Sequence, residues 1–215
     1  MKVTIGGVYY GLHNIGDEGI LLSMIKSFES KAELSVFTYP SEWLPTQYPN
    51  VRINEISMNY IKPKYGLYVV PRSHVISNLV KIKHEIKKYE GNDLYICGGA
   101  TILSDCPFYS LKTIQLAKKA KVPSILWGVG MTDQLDIEGR NYVCQVLNDE
   151  YVKKVYVRDE FVKDRVIQYG VSADKVAISY DPAIMLNGTP FDYNLYLDDY
   201  QFDLYKDSRD NFVFS

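Results

Sequence analysis

The sequence predicts an α/β fold, a Rossmann-like doubly wound parallel sheet. Strand-like and helix-like segments alternate along most of the chain. The interior strands "LYIC" and "SILWGV" are unbroken apolar runs, as strands covered on both faces should be. Glycines and polar residues gather directly after the strands, at the edge where such sheets bind ligands.

The first strand is read in "KVTIGGVYY" (residues 2–10), rich in β-branched and aromatic residues. "DEGILLSMIKSFES" then places Ile20, Leu21, Met24, Ile25 and Phe28 on one helical face. A second strand, "AELSVFTY", stops at Pro40. The stretch from Pro40 to Tyr68, interrupted by Pro45, Pro49 and Pro63, is read as loop with one strand in "NVRINEI". "RSHVISNLVKIKHEIKKYE" is an amphipathic helix with Val75, Leu79, Ile82 and Ile86 inward. There follow the strand "NDLYICGGA", the helix "FYSLKTIQLAKKAK" and the strand "PSILWGVGM". The series continues with the helix "IEGRNYVCQVLND", the strand "KKVYVRD", the helix "EFVKDRVIQYG" and the strand "KVAISYDP". Right-handed crossovers between such units give a parallel sheet. Residues 1–186 form the Rossmann-like domain. Residues 187–215, acidic, Tyr-rich and weakly periodic until "NFVFS", are read as a linker and the start of a truncated second domain.

Bulk properties narrow the function classes. A formal net charge of −2 leaves no electrostatic footprint for a nucleic-acid protein. Cys97, Cys106 and Cys144 are odd in number and lack metal-ligand spacing, so they read as reduced thiols of a cytoplasmic protein. His13, His74 and His84 are scattered, and no metal site is expected. The N-terminus is too short and polar for a signal peptide, and no apolar run is long enough to span a bilayer.

The candidate chemistry lies after the strands. "GLHNIGDEG" carries Asn14, Gly16, Asp17 and Glu18 between the first strand and first helix; Gly98 and Gly99 follow "LYIC"; Gly128 and Gly130 mark the end of "SILW"; Arg158 and Asp159 follow "VYV"; Asp181 follows "AISY". Glycines allow close approach to the backbone, and helix N-termini favour anions. Asp17, however, suits the N-cap of its helix and Glu18 the first turn. Acids there compete with a bound anion, so the first loop suits a hydroxyl-rich sugar, or capping alone. Gly98 and Gly99 serve either a ligand or the end of a strand. Arg158 beside Asp159 is either a ligand contact or a surface ion pair and cap. Cys97 reads as a small core residue. The dinucleotide G-x-G-x-x-G fingerprint, the P-loop and the G-x-S-x-G elbow are all absent, which sets a dinucleotide oxidoreductase low.

In order, "YYGLHNIGDEGIL", "DLYICGGATILSD", "SILWGVGM", "VYVRDEFVKDRVIQYGV" and "KVAISYDPAIML" resemble the polysaccharide pyruvyl transferase family from about Lys2 to Leu186. The carriers are the N-x-G-D-E turn at Asn14, Gly16, Asp17 and Glu18, and the cluster Gly98, Gly99, Ile102, Leu103 and Asp105. To these add the G-x-G end at Gly128 and Gly130, the R-D helix start at Arg158 and Asp159, and the D-P-A end at Asp181, Pro182 and Ala183. Ala100 stands where the family's third central glycine is usual, and Val162 where its serine is. The resemblance implies the N-terminal half of a GT-B-like two-domain fold whose members are considerably longer. It implies transfer of the enolpyruvyl group of phosphoenolpyruvate, as donor substrate and without a cofactor, onto two hydroxyls of a saccharide acceptor. That acceptor would be a surface or exopolysaccharide intermediate, lipid-linked at the cytoplasmic membrane face. Arg158 is the expected anion contact, with Asp105 and Asp181 as acid/base or loop-fixing groups. Asn14, Gly16, Asp17, Glu18, Gly98, Gly99, Gly128, Gly130 and Asp159 are the expected substrate-binding positions. The basic anion-binding positions of the family lie largely in its other half, so this chain alone is expected to be inactive. A GT-B glycosyltransferase using a nucleotide sugar and a non-catalytic family member in polysaccharide assembly are the alternatives.

Overall fold

The computed structural model describes residues 1–7, 10–11, 14–39, 41, 43–55, 63–64, 67–68, 82–99, 102–103, 107–131, 135–179, 181–186, 205–206 and 212–213. Among them, seven strands form one parallel sheet: β1 (Lys2–Gly6), β2 (Glu33–Thr38), β3 (Arg52–Glu55), β4 (Leu94–Gly98), β5 (Ser124–Val129), β6 (Val152–Val157) and β7 (Val176–Ile178). Their spatial order is β3-β2-β1-β4-β5-β6-β7, so the direction of strand addition reverses between β1 and β4. This is the order of a doubly wound Rossmann-like sheet, and its crevice belongs at that reversal.

The helices are α1 (Ile15–Phe28), α2 (Trp43–Gln47), α3 (82–87), α4 (Pro107–Ser110), α5 (Lys112–Lys119), α6 (Ile137–Leu147) and α7 (Glu160–Gln168). The alternation along each strand assigns them to two faces. Val3 and Ile5 of β1, Val36 of β2 and Ile96 of β4 pack with Leu21, Met24 and Ile25 of α1 and with Trp43 and Leu44 of α2. Tyr95 and Cys97 of β4, Leu126 of β5 and Val155 of β6 face the other way, onto α5, α6 and α7. The strands β1, β2, β4 and β5 therefore cover side chains on both faces, while the edge strand β3 buries none fully, and this is why "LYIC" and "SILW" carry no polar alternation.

Differences from the sequence reading are local. The 108–121 helix is broken at Leu111, whose ψ of 2° ends α4 and starts α5. α2, hidden among prolines, was read as loop; Pro45 is tolerated there because it sits in the first turn, where its missing N–H has no helical partner. The first strand ends at Gly6 rather than Tyr10. Of the helix expected over 72–90, the described part is helical at 82–87. Residues 72–81, and most of the expected linker from 187, lie outside the described residues. Within that linker Tyr205–Lys206 pairs antiparallel with Phe212–Val213, and Pro63–Lys64 likewise pairs with Leu67–Tyr68.

After β7 the chain turns back. Pro182–Leu186 forms a 3-10 helix that packs onto α1, with Ala183 and Leu186 against Gly19. On the way it passes Gly128, which lies within β5 at a register shift of the β5–β6 ladder. Gly128 has φ +67°, and a Cβ there would stand 2.2 Å from Pro182 Cδ. Both the backbone conformation and the proline ring require glycine. Gly91 has a similar φ of +77° but open space around it.

Replacing both glycines separately divides the two effects. Gly91→Ala should cost roughly 1 kcal/mol, the left-handed penalty alone. Gly128→Ala should cost about 3 kcal/mol or more, since strain and overpacking add. Urea unfolding of the two variants measures the difference. Equal losses would mean that Pro182 does not press on Gly128.

Candidate functional site

The carboxyl ends of β1, β4, β5, β6 and β7 are contiguous along one edge, so the candidate positions share that edge. At about 4.8 Å per strand, the ends of β1 and β6 are roughly 14 Å apart. They form two groups, one at the sheet reversal and one at β6–β7.

At the reversal, α1 begins at Ile15, two residues before Asp17. The N-cap is therefore Asn14, not Asp17: Asn14 Oδ1 accepts from Gly16 N at 3.1 Å and Asp17 N at 3.5 Å, and its carbonyl accepts from Glu18 N at 2.9 Å. The capping role expected for Asp17 moves to Asn14 because Asn14 and Asp17 stand at capping-box spacing, with the acid at the third helical position. The donors of this helix start are thus largely spent within the protein, and it is a poor anion cradle. Asp17 and Glu18 are buried. Glu18 Oε1 accepts from Gly11 N at 2.6 Å, a charge-assisted bond that folds the loop after β1 back onto the helix. Gly11 itself has φ +85°, with Thr38 Oγ1 2.3 Å from where a Cβ would lie.

Tyr10 was not singled out from the sequence, where it reads as the end of a strand. It is fully buried, its hydroxyl 3.9 Å from Met24 Sδ. A Cβ on Gly98 would lie 2.8 Å from that hydroxyl and 2.2 Å from Met24 Cε, and one on Gly7 would lie 2.8 Å from the Tyr10 ring. Gly98 is thus a packing requirement of the Tyr10–Met24 pair. Gly99, with φ +125°, brings its backbone beside Asp17, whose Oδ1 lies 3.8 Å from the Cβ position. Burial, then the charges of Cys97, Asp17, Glu18 and Asp181, push the Tyr10 hydroxyl well above its usual range, so it remains protonated. The Gly-x-Gly spacing that could have flagged this pocket is broken between Gly7 and Gly11, and only the crowding of the folded chain shows it.

The second group is an ion pair. Arg158, at the end of β6, donates Nη1 to Asp181 Oδ2 at 3.2 Å; both side chains are rather more than two-thirds buried. The other carboxylate oxygen of Asp181 accepts from Ala183 N at 2.9 Å and starts the 3-10 turn. Asp159 caps α7 through Val162 N at 2.8 Å, so Arg158 pairs with Asp181 and not with its neighbour. Val162 contributes its backbone N–H to that cap and buries its side chain. Gly130 is buried and its carbonyl accepts from Leu103 N at 3.3 Å, linking the segment after β4 to β5. Asp105, Ala100, Cys106, His13 and His74 lie outside the described residues. Among the described residues no cluster of three or more metal-ligating side chains occurs.

Cys97 closes β4 with no exposure, as a core residue should. Burial pushes its thiol up from the ordinary 9.0 to about 11, against the hydrogen bonds from Thr113 and Tyr95.

This assembly defines a class: a Rossmann-like α/β domain whose carboxyl edge carries buried acids packed among glycines and an arginine tethered by an aspartate. The family model for polysaccharide pyruvyl transferase matches residues 14–212, and the chain belongs to that family. No curated protein matches the sequence. Among solved structures, the chain is similar to Anabaena HepE in complex with UDP and glucose, at 11% identity and a TM-score of 0.56, over 84% of this chain and 44% of that one. It is also similar to the UDP-GlcNAc 2-epimerase of Methanocaldococcus jannaschii (14% identity, TM-score 0.51, 94% and 54% covered). A glycosyltransferase from Rickettsia africae gives 15% identity and a TM-score of 0.50, over 83% of this chain and 42% of that one. At these identities the likeness is one of fold. The chain spans about half the length of the solved structures it matches.

Two outcomes follow from the reversal group. Glu18→Ala should lower stability by about 1–3 kcal/mol, the cost of orphaning the Gly11 N–H, whereas Glu18→Gln, which keeps an acceptor, should lose much less. Equal losses in urea melts would show that the Gly11 bond is not what Glu18 supplies. For Cys97, the raised native pKa means its stabilising contribution is complete below the unfolded value near 9 and is lost as pH rises toward about 11. In a Cys106→Ser, Cys144→Ser background, Cys97 should resist a disulfide reagent at pH 8 until the protein unfolds. Rapid native labelling would contradict its burial.

Proposed function

We propose that the protein transfers the enolpyruvyl group of phosphoenolpyruvate onto two hydroxyls of a saccharide, forming a cyclic pyruvate ketal and releasing phosphate. What carries this reading is the family match together with Arg158, a mostly buried cation held at the carboxyl edge by Asp181. In a GT-B-like arrangement this edge faces a second domain across a cleft. The acceptor is a surface or exopolysaccharide intermediate, lipid-linked and met at the cytoplasmic membrane face. Among the described residues no helix is long and apolar enough to cross a membrane.

The chemistry divides into steps that the residues can serve. An acid protonates the methylene carbon of the donor, leaving C2 cationic. One sugar hydroxyl attacks C2 and gives its proton to a base; phosphate departs, the second hydroxyl attacks the C2 cation so formed, and its proton passes to the released phosphate as the ketal closes. The donor carries a carboxylate and a phosphate, and a guanidinium binds either in a two-pronged fashion. Arg158 is the group for this, with Asp181 exchanging its contact for the substrate's. Holding both hydroxyls near C2 is a matter of positioning, which Asn14, Gly16 and the Gly98–Gly99 backbone serve. Asp181 and Asp105 are the acid/base candidates in this half.

A glycosyltransferase using a nucleotide sugar is the second reading, favoured by the likeness to Anabaena HepE in complex with UDP and glucose. The deciding assay is phosphate release from phosphoenolpyruvate by the full-length gene product, with and without saccharide extract from the host cell. Release that depends on the extract supports pyruvyl transfer. Hydrolysis of added nucleotide sugar instead favours the second reading, and silence with both favours a non-catalytic role in polysaccharide assembly. Arg158→Ala should lower turnover by about a hundredfold or more, with its melting curve confirming the fold. Undiminished turnover would remove Arg158 from the mechanism.

A further inference from the structure

The edge of the sheet opposite the crevice carries a groove that the proposed reaction does not use. It runs along the amino-terminal ends of β2 and β3, about 17 Å from the carboxyl edge at the rise of a five-residue strand. A cavity of about 640 Å³ is lined by Glu29 and Ser30 after α1, by Gln47 and Tyr48 at the end of α2, and by Asn50. A second, of about 260 Å³, is lined by Asn50, Arg52, Asn54 and Lys87 among others. The two share Glu33, Leu34 and Asn50 as a common wall.

The halves differ in chemistry. The larger offers Ser30, Gln47, Tyr48 and Asn50 as neutral hydrogen-bonding groups beside apolar side chains, with the carboxylates of Glu29 and Glu33 on one wall. Burial and then Glu29 raise the Tyr48 hydroxyl above its usual range, so it serves as a donor. The smaller is cationic. Lys2 is taken up by Glu33 at 3.7 Å and Lys88 by Glu85 at 2.9 Å. Arg52 and Lys87, by contrast, have no ion-pair partner among the described residues. Glu90 also lines this cavity, and against it Arg52 and Lys87 leave a net positive charge among the described residues, which beside Asn50, Asn54 and Asn92 raises the local concentration of an anion. The cavity size is that of a small-molecule site.

We propose that this groove binds an anionic saccharide, with sugar hydroxyls against Tyr48, Gln47 and Asn50 and a carboxylate or phosphate substituent against Arg52 and Lys87. The site is separate from the carboxyl edge and does not depend on the reaction proposed for that edge. Its place in the fold lets the chain hold a charged glycan while the crevice remains open.

The test is to titrate the ¹⁵N-labelled chain with trigalacturonate, with neutral maltotriose and with inorganic phosphate, following amide shifts. Trigalacturonate should shift Tyr48, Asn50, Val51 and Arg52 saturably, and maltotriose should bind those positions about tenfold more weakly, the loss of one charge-assisted contact. A sugar phosphate in place of the carboxylate sugar identifies which anion is preferred, and binding of either supports the site. Arg52→Ala with Lys87→Ala should weaken trigalacturonate binding at least tenfold, while the dispersed spectrum confirms folding. Equal affinity for both trisaccharides would overturn the proposal, as would saturation by phosphate alone with no gain from the sugar. So would shifts confined to the Asn14 and Arg158 region, or no shift at all. None of these failures bears on phosphate release at the other edge.

Discussion

A proline ring lying on a bare α-carbon holds the carboxyl edge together. Gly128 interrupts β5 with a left-handed turn of the backbone, and Pro182 occupies the space its side chain would have filled. That contact lets the chain leave the far side of the sheet at β7 and return over β5 to α1, where Ala183 and Leu186 meet Gly19. The return path sets Asp181 beside Arg158, and the ion pair fastens the end of β6 to it. Without the contact, the last strand and the first helix would be joined only through the sheet.

The same segment links the two groups at this edge. Asp181 is close enough to Tyr10 for its charge to raise the phenol's pKa, as do Asp17 and Glu18 from α1. The charges of three carboxylates therefore bear on one buried hydroxyl, and Arg158 pairs with one of them. Among the described residues the reversal is therefore acidic, and at β6–β7 the guanidinium of Arg158 offsets Asp181.

The fold was legible because doubly wound sheets advertise themselves: "LYIC" and "SILW" are apolar on both faces, and α6 and α7 repeat their buried residues at helical spacing, whereas α1 is buried all round from Asp17 to Ile25. α2 was not, since five residues bearing a proline have too short a period to register. Within the site, Arg158 and Asp181 were each visible, but their pairing joins residues 23 positions apart and depends on the return over Gly128. The cap at Asn14 was obscured by Asp17, an equally good capping residue placed three positions too late. Tyr10 was masked by its composition: a tyrosine after "IGGVY" continues a strand pattern, and only packing shows it filling the space left by Gly7 and Gly98.

These glycines show how a family motif mixes two kinds of requirement. Gly98 and Gly128 are needed because a side chain already occupies the room, Tyr10 and Met24 at one and Pro182 at the other. Gly16 is different: a Cβ there meets only Asn14 Oδ1, at 3.4 Å, and the residue is exposed. Gly99 is different again, held at a φ of +125° beside Asp17 with no close obstruction. Steric demand therefore accounts for the first two, and conformation for Gly99. At Gly16 neither applies, since a helix interior accepts alanine more readily than glycine. The Gly16 N–H is taken up by Asn14 Oδ1 in the cap of α1, so neither contact nor backbone conformation explains the glycine there.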